Sequence, residues 1–180
     1  MSRAAVFLDR DGVLNDVTVT EGRPYPPQTV DDLAILPGVR AALDRFTDAG
    51  FEIVVVTNQP DVARHTQTRA GVEAIHSALT ERLGIVNFSV CYHDDSDNCD
   101  CRKPKPGLLL RAANELGLDL GASVMVGDRW RDVEAGQAAG TKTVWIDRGY
   151  AEKQPSGYDL RVPSLPAAVD WILKLKPTNG

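Results

Sequence analysis

No stretch of this 180-residue chain approaches the ~20 consecutive apolar residues of a membrane span. Charges at Asp9, Arg10 and Asp11 interrupt the opening "MSRAAVFLDRDG" too early for a signal-peptide core, so a cytoplasmic protein is expected. A basic excess is also lacking. The net charge is −5, which argues against a nucleic-acid partner. It leaves anionic small molecules open, because a few local cations or a bound metal can override the global sign. Cysteine is scarce: three residues, an odd number that a disulfide framework would leave unpaired. Repeats, low-complexity blocks and interdomain linkers are absent. The expectation is one domain, 1–180, with a frayed tail at 176–180. No apolar helix stripe calls for a second copy, so a monomer is expected.

What is present is alternation. Short β-rich runs at 4–9, 51–58, 87–93, 122–128 and 142–147 are separated by helical patterns at 37–50, 69–83, 107–117 and 131–139. A last helical pattern closes the chain at 164–175. This reads as an α/β fold, a mostly parallel sheet covered by helices on both faces. The Pro-rich pieces at 24–27 and 104–106 read as loops. In such sheets ligands bind at the carboxyl ends of the strands.

The first strand ends in "FLDRDGVLN". Asp9 and Asp11, two apart, point to one side of an extended chain, and two carboxylates that close need a cation or a shared proton. They suggest a hard-metal site with one Asp free as nucleophile, although Asp-Gly is also a common turn. The second strand ends in "VVVTNQ", where the Thr57 hydroxyl and the following backbone N–H groups can hold phosphate oxygens, or Thr57 is simply a strand residue. The fourth ends in "MVGDRWRD", placing Asp128 and Asp132 four apart at a helix start, where Asp is also a normal cap. Lys103, in "RKPKPG", is stiffened by Pro104 and Pro106 and is suited to neutralise phosphate or the aspartates, although on its own it reads as a solvated surface charge. Three strand ends converging on site residues outweigh any one motif.

All three cysteines fall in "CYHDDSDNCDC". Cys91 and His93 are spaced i,i+2, as are Cys99 and Cys101, so each pair projects to one side of extended chain. Three sulfurs and one nitrogen make a closed tetrahedral zinc set, structural because no position stays open. Buried free thiols or a redox pair are the alternatives. A zinc clip over 91–101 would fix an acidic loop that cannot fold alone and present Arg102 and Lys103.

"FLDRDGVLN", "VVTNQ", "CRKPKPG" and "VGDRWRD", in this order, resemble the four motifs of the haloacid dehalogenase superfamily. The Cys-x-His…Cys-x-Cys-Arg-Lys-Pro-x-Pro-Gly pattern resembles its zinc-bearing branch of D,D-heptose 1,7-bisphosphate and histidinol phosphatases. The resemblance implies a Rossmann-like three-layer core and Mg²⁺-dependent phosphoryl transfer. It makes Asp9 the nucleophile and Asp11 the general acid, then base. Mg²⁺ would be held by Asp9, the Asp11 carbonyl and Asp128, with Asp132 supporting. Thr57 and Lys103 would bind the phosphoryl group, and Asn58, Gln59, Arg102 and Arg129 the sugar or a second phosphate. The segments 15–37 and 58–68 are too short for a cap domain, so an open site is expected. "DVTVTEGRPYPP" and "PDVARH" depart from the branch's usual loops. His65 and His76 read as loop and helix-surface residues. A heptose bisphosphate is the expected substrate, histidinol phosphate the alternative, and a non-catalytic phospholigand-binding zinc protein the remote one.

Overall fold

The computed structural model describes residues 3–175; the expected frayed tail lies outside them. In chain order the elements are β1 (Ala5–Leu8), β2 (Thr18–Thr20), β3 (Arg23–Tyr25), α1 (Val39–Asp48), β4 (Glu52–Asn58), α2 (Arg69–Leu83) and β5 (Asn87–Cys91). They continue through α3 (Gly107–Leu116), β6 (Val124–Gly127), α4 (Trp130–Ala139), β7 (Lys142–Ile146), β8 (Leu160–Val162) and α5 (Leu165–Leu173).

Six strands form one parallel sheet in the order β5-β4-β1-β6-β7-β8. Side chains alternate across it. Val6 and Leu8 join the core beneath α1, α2 and α5, whereas Ala5 and Phe7 pack with Leu108, Leu109 and Ala135 of α3 and α4. This is the expected Rossmann-like three-layer fold. The chain builds outward from β1 to β4 and β5, then returns to add β6, β7 and β8 on the other side. The crevice at that reversal, beyond β1, β4 and β6, is where an open α/β sheet takes its ligand.

The structure adds three elements to those read from sequence. β8 is only Leu160–Val162, too short for a periodic signal. β2 and β3 pair as an antiparallel hairpin, Val19 opposite Pro24, so part of the expected 24–27 loop is an edge strand. Its turn residues Glu21 and Gly22 both have positive φ (50° and 74°), the requirement of the tight turn that matches strand twist. The acidic loop folds locally as well: Asp95–Asp97 is a turn of 3₁₀ helix capped by Asp94.

His76 corrects an expectation. It is 7% exposed, stacked on Phe88 with ring centroids 4.7 Å apart, and its Nε2 lies 3.2 Å from Arg10 Nη1. One face of α2 is buried there, and the helical periodicity did not show how wide that face is.

Candidate active site

Asp9 follows β1 directly, and its N–H donates to Val126 O at 3.0 Å, tying it to β6. The chain then turns at Gly12, which has φ 80° and no space for a side chain: a Cβ there would overlap Asp128 Oδ2. Asp128 follows β6, and Asp132 sits in the first turn of α4, where its carboxylate accepts from Arg129 N–H at 3.0 Å. Gly127 lets Asp132 fold back over the strand end, since a Cβ at 127 would collide with it.

Asp9, Asp128 and Asp132 are each buried and offer oxygens within 4.8 Å of one another. Lys103 Nζ reaches Asp9 Oδ1 at 3.0 Å, Asp132 Oδ1 at 2.7 Å and Val56 O at 2.7 Å. Two of the three buried carboxylates, Asp9 and Asp132, thus share one ammonium. Burial and the Asp132 charge push Asp9 up to about 6, against the pull of Lys103. Burial, then Asp9 and Asp132, hold Asp128 well above the usual carboxylate range. Burial alone would lower Lys103, but Asp132 and Asp9 outweigh it and keep the ammonium charged. Asp128 Oδ2 accepts from Tyr150 Oη–H at 2.7 Å, while its Oδ1 is buried with no hydrogen-bond partner among the described residues. An orphaned carboxylate oxygen in an over-acidic, all-oxygen cluster fits a hard divalent cation.

Asp11 is held differently. Its Oδ1 accepts from Arg10 Nε and Asn15 Nδ2, and its Oδ2 from Gln59 Nε2, each at 3.0 Å. Burial raises its proton affinity, but the Arg10 charge and these donors outweigh burial and hold the carboxyl below its ordinary range. Gln59 Nε2 also donates to Thr57 Oγ1 at 3.0 Å. Asn58 clamps the Lys103 backbone from both sides: its Oδ1 accepts from Lys103 N and its Nδ2 donates to Lys103 O, both at 3.1 Å. β4 thereby fixes the backbone from which the Lys103 ammonium reaches Asp9.

Above this floor lies an open cleft of about 170 Å³. Pro24, Tyr25 and Pro26 form one lip; Arg64, Arg129 and Arg131 line the cleft with them. Each arginine is held by a carboxylate. Arg64 makes a two-pronged pair with Asp94 (2.8 and 2.6 Å), Arg131 with Asp95 (3.1 and 3.2 Å), and Arg129 pairs with Glu152.

Beside the cleft, Cys91, His93, Cys99 and Cys101 bring their ligand atoms within 4.8 Å of one another. Cys91 and Cys99 sulfurs are 3.8 Å apart, and His93 Nδ1 lies 3.5 Å from Cys91 Sγ and 3.4 Å from Cys101 Sγ. A tetrahedron with metal–sulfur bonds of about 2.3 Å and metal–nitrogen bonds of about 2.0 Å has edges of about 3.8 and 3.5 Å. No pair is a disulfide. Without a cation, burial pushes the Cys91 thiol up to about 12. The cluster can hold a metal ion.

The haloacid dehalogenase-like hydrolase profile matches residues 25–140. The chain belongs to this family. It is 36% identical over 156 residues to the D-glycero-beta-D-manno-heptose-1,7-bisphosphate 7-phosphatase of Pseudomonas aeruginosa, covering 83% of this chain and 84% of that one. It is 34% identical over 195 residues to the D-glycero-D-manno-heptose-1,7-bisphosphate 7-phosphatase of Thermosynechococcus vestitus, covering 96% of both. The crystal structure of D,D-heptose 1,7-bisphosphate phosphatase from B. bronchiseptica, complexed with magnesium and phosphate, superposes with a TM-score of 0.81 at 29% identity. The match covers 96% of this chain and 99% of that one. This haloacid dehalogenase-like hydrolase is a phosphatase by that kinship.

The hydrolase brings Asp9, Asp11, Asn58, Gln59, Lys103, Arg129, Asp128 and Asp132 to one cleft. Two expected residues are not among those lining it. Thr57 is 1% exposed and lies under Gln59. Arg102 turns back into its own loop, its Nε on Asp95 at 2.8 Å and its Nη1 on the His93 carbonyl at 3.5 Å. Arg64 and Arg131 occupy the wall instead. Neither carries a local signal in the sequence: Arg131 stands between two aspartates in "DRWRD", and Arg64 lies in "PDVARH", which departs from the branch's usual loop. Tyr150 follows β7 in "DRGY", so the strand-end rule applied to one more strand finds it.

Proposed function

We propose that this hydrolase is a Mg²⁺-dependent, zinc-stabilised 7-phosphatase of D-glycero-D-manno-heptose 1,7-bisphosphate. The observation that carries the reading is the division of the cleft. Its floor holds Asp9, Lys103 and a cation-hungry carboxylate cluster, suited to one phosphoryl group. Its wall holds Arg64, Arg129 and Arg131, suited to a second, since guanidinium forks bind phosphate oxygens in pairs. The names of the relatives support the sugar.

Asp9 attacks phosphorus and forms an aspartyl-phosphate. The bond from phosphorus to the leaving alcohol oxygen breaks, and that oxygen takes a proton held at Asp11. In the second half Asp11 takes a proton from water, whose oxygen attacks phosphorus and releases Asp9. Asp11 is ionised in the free protein, so its proton arrives with the substrate: a phosphate monoanion beside ionised Asp11 carries the same proton as a dianion beside neutral Asp11. Lys103 offsets the repulsion between the Asp9 carboxylate and the incoming phosphate. Mg²⁺, held by Asp9, Asp128, Asp132 and the Asp11 carbonyl, would draw charge from the transferring oxygens. Zn²⁺, on Cys91, His93, Cys99 and Cys101, would hold the loop that carries Asp94 and Asp95 and through them Arg64 and Arg131.

Histidinol phosphate is disfavoured on a specific ground. It brings no second phosphate for the arginine wall, and the two acidic-loop carboxylates that touch that wall, Asp94 and Asp95, already pair with arginines. The test is kcat/KM on the heptose bisphosphate against histidinol phosphate. The bisphosphate is expected to win by more than about tenfold, roughly 1.4 kcal/mol of transition-state binding. A tenfold preference for histidinol phosphate sinks the substrate and leaves the phosphatase chemistry standing.

A further inference from the structure

Residues 148–152 lie across the site as a strap. Arg148 donates to Gly12 O at 3.4 Å and to Asp16 Oδ1 at 2.8 Å, tying the strap to the turn after β1. Ala151 N–H donates to Gly22 O at 2.8 Å, tying it to the hairpin turn. Glu152 pairs with Arg129. Between these anchors the Tyr150 ring is inserted, 6% exposed, with its hydroxyl on Asp128 Oδ2. Neither the metal motif nor the cleft wall accounts for this residue.

We propose that Tyr150 is a positioning residue for the divalent cation: by occupying Asp128 Oδ2 it leaves Oδ1 as the oxygen presented to the metal. This rests on the Mg²⁺ reading above and adds a residue to it. An aspartate's terminal torsion is soft and nearly two-fold, so an unrestrained carboxylate samples orientations that blunt its affinity. Here two contacts remove that freedom: the hydroxyl holds Oδ2, and Gly12 packs so closely that a Cβ would meet both Oδ2 and the hydroxyl. Trp145 Nε1 separately holds the backbone carbonyl of Asp128 at 3.3 Å. The result is visible in the remaining oxygen, Oδ1, which is buried and unpartnered.

The chemical type of the partner matters as much as its place. Lys103 already gives a positive charge to Asp9 and Asp132. A second cationic side chain on Asp128 would compete with the metal for the cluster's charge. A phenol donates one hydrogen bond and carries no charge, so it orients Asp128 without spending its anionic character. Hydrogen-bond partners that orient metal ligands typically contribute about 10- to 100-fold in metal affinity.

The test is Tyr150→Phe, an isosteric change that deletes only the hydroxyl, with Mn²⁺ as the probe for the magnesium site. Binding is read by electron paramagnetic resonance and calorimetry on zinc-replete protein, and folding by circular dichroism and zinc content. The expected result is a Mn²⁺ Kd raised about 10- to 100-fold, with kcat at saturating metal within about threefold of wild type. A folded, zinc-replete variant whose Mn²⁺ Kd stays within about threefold of wild type overturns the proposal while leaving the cation site intact. Failure of wild-type protein to bind Mn²⁺ overturns the cation site itself, and this proposal with it.

Discussion

Lys103 Nζ stands 3.0 Å from Asp9 Oδ1 across a chain separation of 94 residues, and both side chains are nearly closed to solvent. A buried ion pair is weak evidence of stability, but breaking one side of it leaves an uncompensated charge. Here the uncompensated group would be a carboxylate in a cluster that already has too many. Lys103→Met is expected to abolish turnover and to lower the stability of metal-free protein by about 3–5 kcal/mol in urea unfolding. Added Mg²⁺ should recover part of that loss, by the mass action of a ligand that binds only the folded state. Metal-free stability equal to wild type would mean the cluster does not need the ammonium.

Asp128→Asn should separate stability from function in the opposite direction. The substitution removes a buried negative charge whose Oδ1 has no partner and whose proton affinity is raised by burial, Asp9 and Asp132. The metal-free melting temperature is expected to rise, while the further rise on adding Mg²⁺, present in wild type, disappears together with turnover. A lower metal-free melting temperature would show that the carboxylate is not under repulsion.

His76 gives a pH dependence of its own, one residue away from Asp11 through Arg10. Burial, then the Arg10 charge, depress its pKa to about 4, with Asp11 and Glu73 opposing. The unfolded chain therefore takes up a proton near pH 6.5 that the folded chain refuses until about pH 4. Stability from this residue is fully present above about 6.5 and is lost as pH falls toward 4. The stability difference between wild type and His76→Gln should narrow over that window by on the order of 2 kcal/mol in urea melts. Other groups titrate in both proteins and cancel in the difference. A pH-independent gap would show that His76 titrates in the fold as it does in the unfolded chain.

Cys99→Ser tests the loop. It should reduce bound zinc below one per chain and lower stability. It should also raise KM, because Asp94 and Asp95 leave their places and release Arg64 and Arg131. Zinc-free wild-type protein, or a native Cys99–Cys101 disulfide, contradicts this account.

The strand-end residues were legible in the sequence because a parallel sheet aims its carboxyl ends at one crevice, so Asp9 and Asp128 needed only the order of elements. The cysteine spacing was legible because i,i+2 pairs on extended chain fix where two ligands point. Side-chain partners were not. Arg102 follows Cys101 of the cysteine cluster, a place that suggests the cleft, but Asp95, seven residues earlier, captures it once that segment winds into a 3₁₀ turn. His76 was expected on a surface because helical periodicity gives the direction of the buried face and not its width. Tyr150 lies in a segment without periodicity, and its meeting with Asp128 depends on the close approach of Gly12, which no local pattern encodes.

Arg131 carries the sharpest test of the divided cleft. Its fork is held by Asp95, its Nη1 also reaches Lys103 O at 3.3 Å, and its guanidinium lies over Trp130 at 4.7 Å. It is thus pre-set beside the floor without touching Asp9. Arg131→Met keeps an apolar chain of similar length on Trp130 and removes the charge. Losing a charge-assisted hydrogen bond to a second phosphate costs about 1.5–3 kcal/mol, or about 10- to 100-fold in kcat/KM for the bisphosphate. The loss should fall mainly on KM, because a contact remote from the reacting phosphorus binds ground and transition states alike. An aryl monophosphate has no second phosphate to lose, and its kcat/KM should stay within about threefold. Equal losses on both substrates would instead put Arg131 on the transferring phosphoryl group, and the assignment of the arginine wall to a second phosphate would fail.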